Sequence, residues 1–109
     1  MDAVVVVRYQ TKLERADENQ ALIERVFAEL NEVCPDALRY ASFRLTDRVS
    51  FVHVAAVETD DGTNPLTEMP AFVEFLREIG DRIEVGPISS EATVVGSYRF
   101  VLSDPASSE

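Results

Sequence analysis

Six hydrophobic runs follow one another along nearly the whole chain, in the order strand, helix, strand, strand, helix, strand. The first run, residues 3–10, is rich in β-branched valine and is typical of a largely buried strand. Asp17 and Gln20 then form a candidate capping box at the start of a helix that ends before Pro35. Apolar side chains recur along this helix at helical spacing, at Leu22, Val26, Leu30 and Val33.

The middle of the chain predicts a β-hairpin. Residues 38–46 and 49–58 alternate as strands, and only Asp47 and Arg48 separate them, so we expect a tight turn. Side chains directly opposite each other on the two strands are expected to be Ser42 and His53, Arg44 and Phe51, and Tyr40 and Ala55.

The last third of the chain predicts a second helix and a fourth strand. Pro70 fits the first turn of this helix, and Gly80 is a predicted stop at its end. We interpret Gly86-Pro87 as a turn that leads to a strand at 92–101, and we expect the polar tail at 103–109 to be frayed. The apolar stripe of the helix consists of Phe72, Phe75, Leu76 and Ile79.

These elements predict one α+β domain over residues 1–109 with the ferredoxin-like βαββαβ plait. Two strand–helix–strand units with right-handed crossovers give a four-stranded antiparallel sheet with two helices on one face. Strand alternation then sorts the residues by face. We expect the helices to cover Val5, Val7, Ala41, Phe43, Leu45, Val52, Val54, Ala56, Val94, Tyr98 and Phe100. We expect the opposite face to carry Val4, Val6, Arg8, Tyr40, Ser42, Arg44, Phe51, His53, Ala55, Val57, Val95, Ser97 and Arg99.

The face opposite the helices predicts an assembly. Its apolar members, Val4, Val6, Phe51, Val57 and Val95, would leave an apolar sheet surface in water, which monomeric proteins rarely tolerate. Face-to-face pairing of two sheets hides this surface and encloses a cavity lined by the polar groups. We therefore expect a homodimeric α+β barrel.

The composition excludes several partners and sites. A net charge of −10 makes nucleic acid and anionic membranes poor partners, and no apolar stretch approaches the roughly 20 residues that span a bilayer. Asp2 stands where a secretory signal carries basic residues, so we expect a cytoplasmic location. Cys34 and His53 are the single cysteine and histidine, which excludes thiolate clusters and multi-histidine metal sites within one chain. We expect Cys34 to be a small buried residue.

Three segments of the chain resemble the dimeric α+β barrel superfamily, specifically its antibiotic-biosynthesis-monooxygenase-like family. They are residues 6–9, 51–58 and 69–75, and the resemblance extends over residues 3–101. It implies a homodimer whose sheets face each other around a pocket in each subunit. Some members oxidise phenolic, polyketide-like substrates with dioxygen and no bound cofactor. The chain has no tryptophan, so the Asn–Trp–His set of the haem-degrading branch cannot form, and we do not expect haem degradation.

His53 and Arg44 are the leading catalytic candidates. On the pocket face, the imidazole of His53 would take a proton from a phenolic or enolic substrate near neutral pH. Arg44, Arg8 or Arg99 would stabilise the resulting anion, which can react with dioxygen directly. The further expected contacts to a small aromatic or apolar metabolite are Tyr40, Ser42, Phe51 and Ser97.

A non-catalytic interpretation stays open beside this one. His53 bonded to Ser42 can simply stabilise the dimer interface, and the arginines can pair with the many carboxylates. The chain would then be a ligand-binding or structural dimer. Hydrolysis with Ser42 as nucleophile is disfavoured, because no third residue orients the imidazole and no glycine-rich elbow presents the serine.

Overall fold

The computed structural model describes residues 3–58 and 64–100, so the predicted tail at 103–109 lies outside the described residues. The strands are β1 (Ala3–Thr11), β2 (Leu38–Arg44), β3 (Ser50–Val57) and β4 (Ile83–Ala92). They form one antiparallel sheet in the spatial order β2-β3-β1-β4. This order is that of the predicted ferredoxin-like plait, which is thereby confirmed.

Three helices pack on one face of the sheet: α1 (Ala16–Val33), α2 (Pro70–Leu76) and α3 (Ile79–Arg82). Pro70 lies in the first turn of α2, as predicted. The predicted stop at Gly80 is wrong, because α2 already ends at Leu76 and Gly80 lies within α3. Arg82 donates to the carbonyl oxygens of Phe75 at 2.5 Å and Arg77 at 3.1 Å, and so satisfies acceptors that the end of α2 leaves free.

Both ends of α1 differ from the prediction. A short 3-10 turn, Leu13–Arg15, leads into the helix, and Arg15 holds the N-cap position without a side-chain cap, so the capping box of Asp17 and Gln20 does not form. Cys34 is exposed rather than buried. It ends the helix in the left-handed conformation, with φ of 50°, and its N–H donates to the carbonyl oxygen of Leu30.

The predicted assignment of residues to the two sheet faces is correct for β1 and wrong for β2 and β3. The phase of β1 is as predicted, since Val7 packs against the core under the helices. The phases of β2 and β3 are reversed: Phe51 is 1% exposed and His53 is 6% exposed, and the ring of His53 contacts Phe75 of α2. Both faces of β3 are apolar, so alternation alone does not decide between them. The polar groups around His53 bond to one another, so burial of this face leaves none of them without a hydrogen-bond partner.

The other sheet face remains largely apolar, although its members differ from those predicted. Phe51 and Val57 are buried beneath the helices instead. Alternation and strand register place a different set of small and aliphatic residues on what we name the free sheet face. It consists of Val4, Val6, Arg8, Arg39, Ala41, Phe43, Val52, Val54, Ala56, Ile88, Ser90 and Ala92.

The last strand lies earlier in the chain than predicted. β4 begins at Ile83, passes through Gly86-Pro87 and ends where the predicted strand starts, at Ala92. The pairing of β4 with β1 is irregular between Arg8 and Gln10, next to this dipeptide. Proline and glycine are tolerated in strands at edges and at such irregularities. The described part of the predicted strand, residues 93–100, contains no strand and is exposed. Ser97 and Arg99 therefore lie beyond the sheet.

Candidate functional site

His53 lies at the centre of a group of hydrogen-bonding side chains between the sheet and the helices. Its Nε2 is 2.8 Å from the hydroxyl oxygen of Tyr9, and its Nδ1 is 2.7 Å from the hydroxyl oxygens of both Tyr40 and Ser42. Asn19 of α1 donates from Nδ2 to the Tyr9 oxygen at 2.9 Å. We name these five residues, Tyr9, Asn19, Tyr40, Ser42 and His53, the His53 centre.

Strand register explains why these side chains meet. Ser42 and His53 are directly paired across β2 and β3, as the hairpin predicts, and the predicted pairs of Arg44 with Phe51 and Tyr40 with Ala55 are also confirmed. On the other side of β3, His53 pairs with Val7 of β1. Tyr9 lies two residues further along the same face of β1, within reach of the imidazole as a diagonal neighbour.

Aromatic rings enclose the imidazole. Tyr9 and Tyr40 stack on it with centroids 5.4 and 5.9 Å away, and Phe75 of α2 is tilted against it at 5.6 Å. Phe27 of α1 in turn stacks on Tyr40 at 5.0 Å with an angle of 10° between the planes. This environment is apolar except for the hydroxyl, amide and imidazole groups.

Arg82 extends the hydrogen-bonded group into the interior. It is 1% exposed, and its Nε donates to Oδ1 of Asn19 at 3.0 Å. Its guanidinium also lies over the ring of Phe75, 5.4 Å from the centroid. In the described part of the chain, no carboxylate lies within ion-pair distance of this guanidinium. A buried cation is thus held by an amide, two main-chain carbonyls and an aromatic face.

Burial sets the protonation states of the centre. It lowers the pKa of His53 to about 4, so the imidazole is neutral near pH 7. Burial raises the pKa of the Tyr9 phenol, against the opposing effect of its hydrogen bond from Asn19. It also raises the pKa of Tyr40, against a hydrogen bond with Ser42. The centre therefore consists of neutral hydrogen-bonding groups at physiological pH.

The other predicted site residues are distributed unevenly around this centre. Arg44 follows Ser42 on the same face of β2, and its guanidinium bonds to Gln20 at 2.7 Å and to Asp17 at 3.1 Å. Phe51 is buried beside Tyr9, with ring centroids 5.7 Å apart. Arg8 lies on the free sheet face, so the structure contradicts its expected place near His53.

Ser97 and Arg99 are likewise not brought to His53. Both are exposed and lie beyond the end of β4, where Arg99 covers the ring of the neighbouring Tyr98. The prediction placed them there because the strand was expected at 92–101. Within one chain the structure therefore does not bring them together with His53.

Sequence reasoning missed Tyr9, Asn19 and Arg82. The alternation that places Val7 under the helices also places Tyr9 there, so this residue was within reach of the pattern. Asn19 lies among charged residues at the exposed start of a helix pattern, and it is wholly buried in the structure. Arg82 gives no signal in the sequence, because a single arginine beyond a helix ordinarily points to solvent.

Three further findings concern the described part of the chain. A groove of about 300 Å³ runs between α1 and the α2–α3 segment, and its lining includes Glu18, Arg25, Glu74 and Arg82 but no residue of the His53 centre. Within residues 3–58 and 64–100, no cluster of three or more His, Cys, Asp or Glu is suited to hold a metal ion. No helix in the same ranges is long and apolar enough to cross a membrane.

Comparison with known proteins gives fold relatives but no close sequence relative. No protein-family model matches the chain, and no curated protein matches its sequence. One similar solved structure is a mutant of SnoaB, a cofactor-independent oxygenase from Streptomyces nogalater. The TM-score is 0.64 at 16% sequence identity, and the match covers 90% of this chain and 97% of that one. Rv0793 from Mycobacterium tuberculosis gives 0.72 at 11% identity, over 89% and 98% of the two chains.

A structure described as an antibiotic biosynthesis monooxygenase gives a TM-score of 0.70 at 15% identity, over 88% of this chain and all of the other. Similarity at these identities establishes the fold alone. It does not establish a function, because one fold hosts many functions. The chain therefore has the same fold as these antibiotic-biosynthesis-monooxygenase-like structures, which is the fold that the resemblance of its sequence implies.

Proposed function

We propose that this chain forms a homodimer that binds a small phenolic or polyketide-like metabolite at the His53 centre and oxidises it with dioxygen without a bound cofactor. The observation that carries the proposal is a neutral imidazole whose Nδ1 has two hydroxyl partners at 2.7 Å inside an aromatic enclosure. The fold shared with a cofactor-independent oxygenase supports it. The expected cytoplasmic location stays a prediction.

The two sides of the imidazole differ in access. On the Nε2 side, Tyr9, Asn19 and Arg82 are all buried. On the Nδ1 side, Tyr40 and Ser42 belong to the edge strand β2 and are only half-buried. We therefore propose that a ligand approaches from the β2 edge and that its hydroxyl group replaces one of the two hydroxyl partners of Nδ1.

The chemistry needs a stabilised anion rather than a cofactor. A phenol or enol that has lost its proton is electron-rich enough to react with dioxygen. In the overall reaction one oxygen atom enters the ring and a quinone forms, while the other oxygen atom leaves as water with the two hydrogens lost by the substrate. Arg44 lies two residues from Ser42 on the same face of β2, where its charge would favour an anionic ligand.

An oxygen-electrode assay over naphthols, hydroxyquinones and anthrone-type phenols tests this proposal. We expect the parent to consume dioxygen with at least one of them and to release no hydrogen peroxide, because the second oxygen atom becomes water. His53→Gln should reduce turnover by roughly 10²-fold or more. Tyr40→Phe should alter substrate binding, whereas Tyr98→Phe removes a phenol that is 82% exposed and should change nothing.

One observation favours a second function, a non-catalytic ligand-binding or structural dimer. Every buried side-chain nitrogen and oxygen in the described ranges already has a hydrogen-bond partner, including those of the His53 centre. Such a network is sufficient to specify a unique core without any reaction. Absence of turnover by the folded parent over the whole substrate panel would support this alternative and end the oxygenase proposal.

The dimer part of the proposal rests on the free sheet face. Val6 and Val54 are paired at its centre on the two middle strands, and Phe43 and Val52 are paired beside them. Burial of one such side chain against a second copy contributes roughly 1.5–3 kcal/mol. A sheet face with an apolar centre of this kind is typical of an interface rather than of a solvated surface.

Light scattering coupled to gel filtration tests the dimer directly. Val54→Asp introduces a charge at the centre of the free sheet face, and we expect it to convert the dimer to a monomer. Val73→Asp makes the same change on α2, at a position that is 49% exposed, and should leave the dimer intact. A parent that is monomeric at micromolar concentration would refute the dimer.

A further inference from the structure

The direction of the hydrogen bonds can be followed outward from Arg82. A guanidinium carries only donors, so Nε of Arg82 must donate to Asn19, and the atom it meets at 3.0 Å must be the amide oxygen. This contact fixes the orientation of the Asn19 amide. Its NH₂ group then points to Tyr9 and donates to the phenol oxygen at 2.9 Å.

The same reasoning assigns the proton of Tyr9. The phenol oxygen accepts from Asn19, and its own single proton needs an acceptor. In the described part of the chain the acceptor within reach is Nε2 of His53, at 2.8 Å. The opposite arrangement, with a proton on Nε2, would leave the buried Tyr9 hydroxyl with two incoming donors and no acceptor. That arrangement is disfavoured by roughly tenfold or more, because a buried donor without a partner is costly.

We propose that Arg82, acting through Asn19 and Tyr9, is a positioning residue that holds His53 in the Nδ1-protonated tautomer. The imidazole then presents an N–H donor to the side where Tyr40 and Ser42 lie. His53 is neutral at physiological pH, because burial lowers its pKa. Only one of its two ring nitrogens therefore carries a proton. A ligand oxygen that replaces one hydroxyl partner of Nδ1 meets this N–H and the remaining hydroxyl, and both can donate to it.

This assignment deepens the proposed function and rests on it for its chemical consequence. A ligand oxygen on the Nδ1 side meets donors, so His53 stabilises an anion there and does not remove its proton. The site therefore favours substrates that are already ionised near neutral pH, namely acidic phenols, hydroxyquinones and enols of 1,3-diketones. Simple phenols with ordinary acidity should be poor substrates.

Nitrogen NMR of the histidine ring tests the tautomer without any substrate. His53 is the only histidine, so protein labelled with ¹⁵N-histidine gives one pair of ring signals without an assignment problem. We expect the signal of a protonated nitrogen from Nδ1 and that of an unprotonated nitrogen from Nε2, with the assigned tautomer in roughly tenfold excess or more. A parent protein protonated at Nε2 would overturn the proposal even if no variant folds.

Asn19→Asp reverses the hydrogen-bond direction with almost no change in shape. A carboxylate cannot donate, so Tyr9 must give its proton to it, and Nε2 of His53 must then donate to Tyr9. We expect the histidine to change to the Nε2-protonated tautomer. Asn31→Asp makes the same charge change at an exposed position of the same helix and should leave the tautomer unchanged. A folded Asn19→Asp variant that keeps the proton on Nδ1 of His53 would overturn the proposed role of Arg82.

Failure of this inference and failure of the oxygenase proposal are distinguishable. The tautomer is measured without turnover, so an inactive protein with a protonated Nδ1 leaves the positioning role of Arg82 intact. An active protein with a protonated Nε2 would instead restore His53 as a proton acceptor. A preference for ionised substrates, measured as kcat/KM across phenols of graded acidity, links the two.

Discussion

Removal of the titrating group at position 53 should change how the stability of this protein depends on pH. In the folded state burial lowers the pKa of His53 to about 4, from an ordinary value of 6.5 in the unfolded chain. The unfolded chain therefore binds this proton first as the pH falls. The stabilising contribution of neutral His53 is present above pH 6.5 and is lost between 6.5 and about 4; below that range both states are protonated.

The size of the effect follows from these two values. One pKa unit corresponds to about 1.4 kcal/mol, so complete titration changes the free energy of unfolding by about 3 kcal/mol. Between pH 7 and about 4.5 the change amounts to roughly 2 kcal/mol. That is a sizeable fraction of the stability of a small domain, which is commonly about 5–15 kcal/mol.

Urea denaturation of the parent and of His53→Gln at a series of pH values measures this difference. Glutamine keeps a polar side chain but does not titrate, so the free energy of the variant should fall by roughly 2 kcal/mol less than that of the parent over this range. The many carboxylates titrate in both proteins and cancel in the comparison. Two parallel curves, or an NMR titration of the single histidine with a midpoint near 6.5, would refute the reasoning.

Two backbone positions give further predictions. Gly86→Ala should destabilise the protein by about 2 kcal/mol, because φ is +95° and a Cβ would lie 3.1 Å from the carbonyl oxygen of Arg8. Gly80→Ala is the matched control, because a Cβ at this position meets nothing within 4 Å. It should be neutral or stabilising by up to about 1 kcal/mol. Cys34→Gly should stabilise by roughly 1 kcal/mol, because φ of 50° suits glycine. Urea midpoints check all three; an unchanged midpoint for Gly86→Ala or a lower one for Cys34→Gly would contradict the backbone argument.

Element order and strand register could be predicted from the sequence because each depends on local information. The β-branched run of β1 and the apolar spacing of α1 reveal their periods directly. The short connection between β2 and β3 determines which residues lie opposite one another, so the pair of Ser42 and His53 followed from the position of the turn. Neither inference needed to know which face of the sheet was covered.

The choice of face could not be predicted in the same way. In β3 the residues Val52 and Val54 are as hydrophobic as Phe51, so burial of either face gains similar free energy. The presence of His53 suggested that its face was wet. In the structure its polar atoms are satisfied by Tyr9 and by β2, so that face is buried at no cost in unmet hydrogen bonds.

The position of β4 illustrates a second limit. Residues 92–101 contain valine, tyrosine and phenylalanine and are typical of a strand, yet Val95 is 99% exposed and the sheet ends at Ala92. The true strand contains two serines, two glutamates, one glycine and one proline among its ten residues. It pairs with β1 along one edge and faces solvent on both surfaces for most of its length, so its side chains carry little hydrophobic signal. Backbone pairing, which composition does not reveal, determines this element.

The buried cation connects these observations. Arg82 begins the polar chain that ends at Ser42, and it also occupies the carbonyls at the end of α2. Its partners are neutral groups, so its charge still acts on the phenol of Tyr9, where it partly opposes the burial that raises the pKa of that group. Replacement of Arg82 would therefore disturb a helix end and a protonation state at once. Asn19→Asp separates the effect on the helix end from the effect on the histidine tautomer. It leaves the guanidinium and the α2 carbonyls in place but moves the proton of His53 from Nδ1 to Nε2.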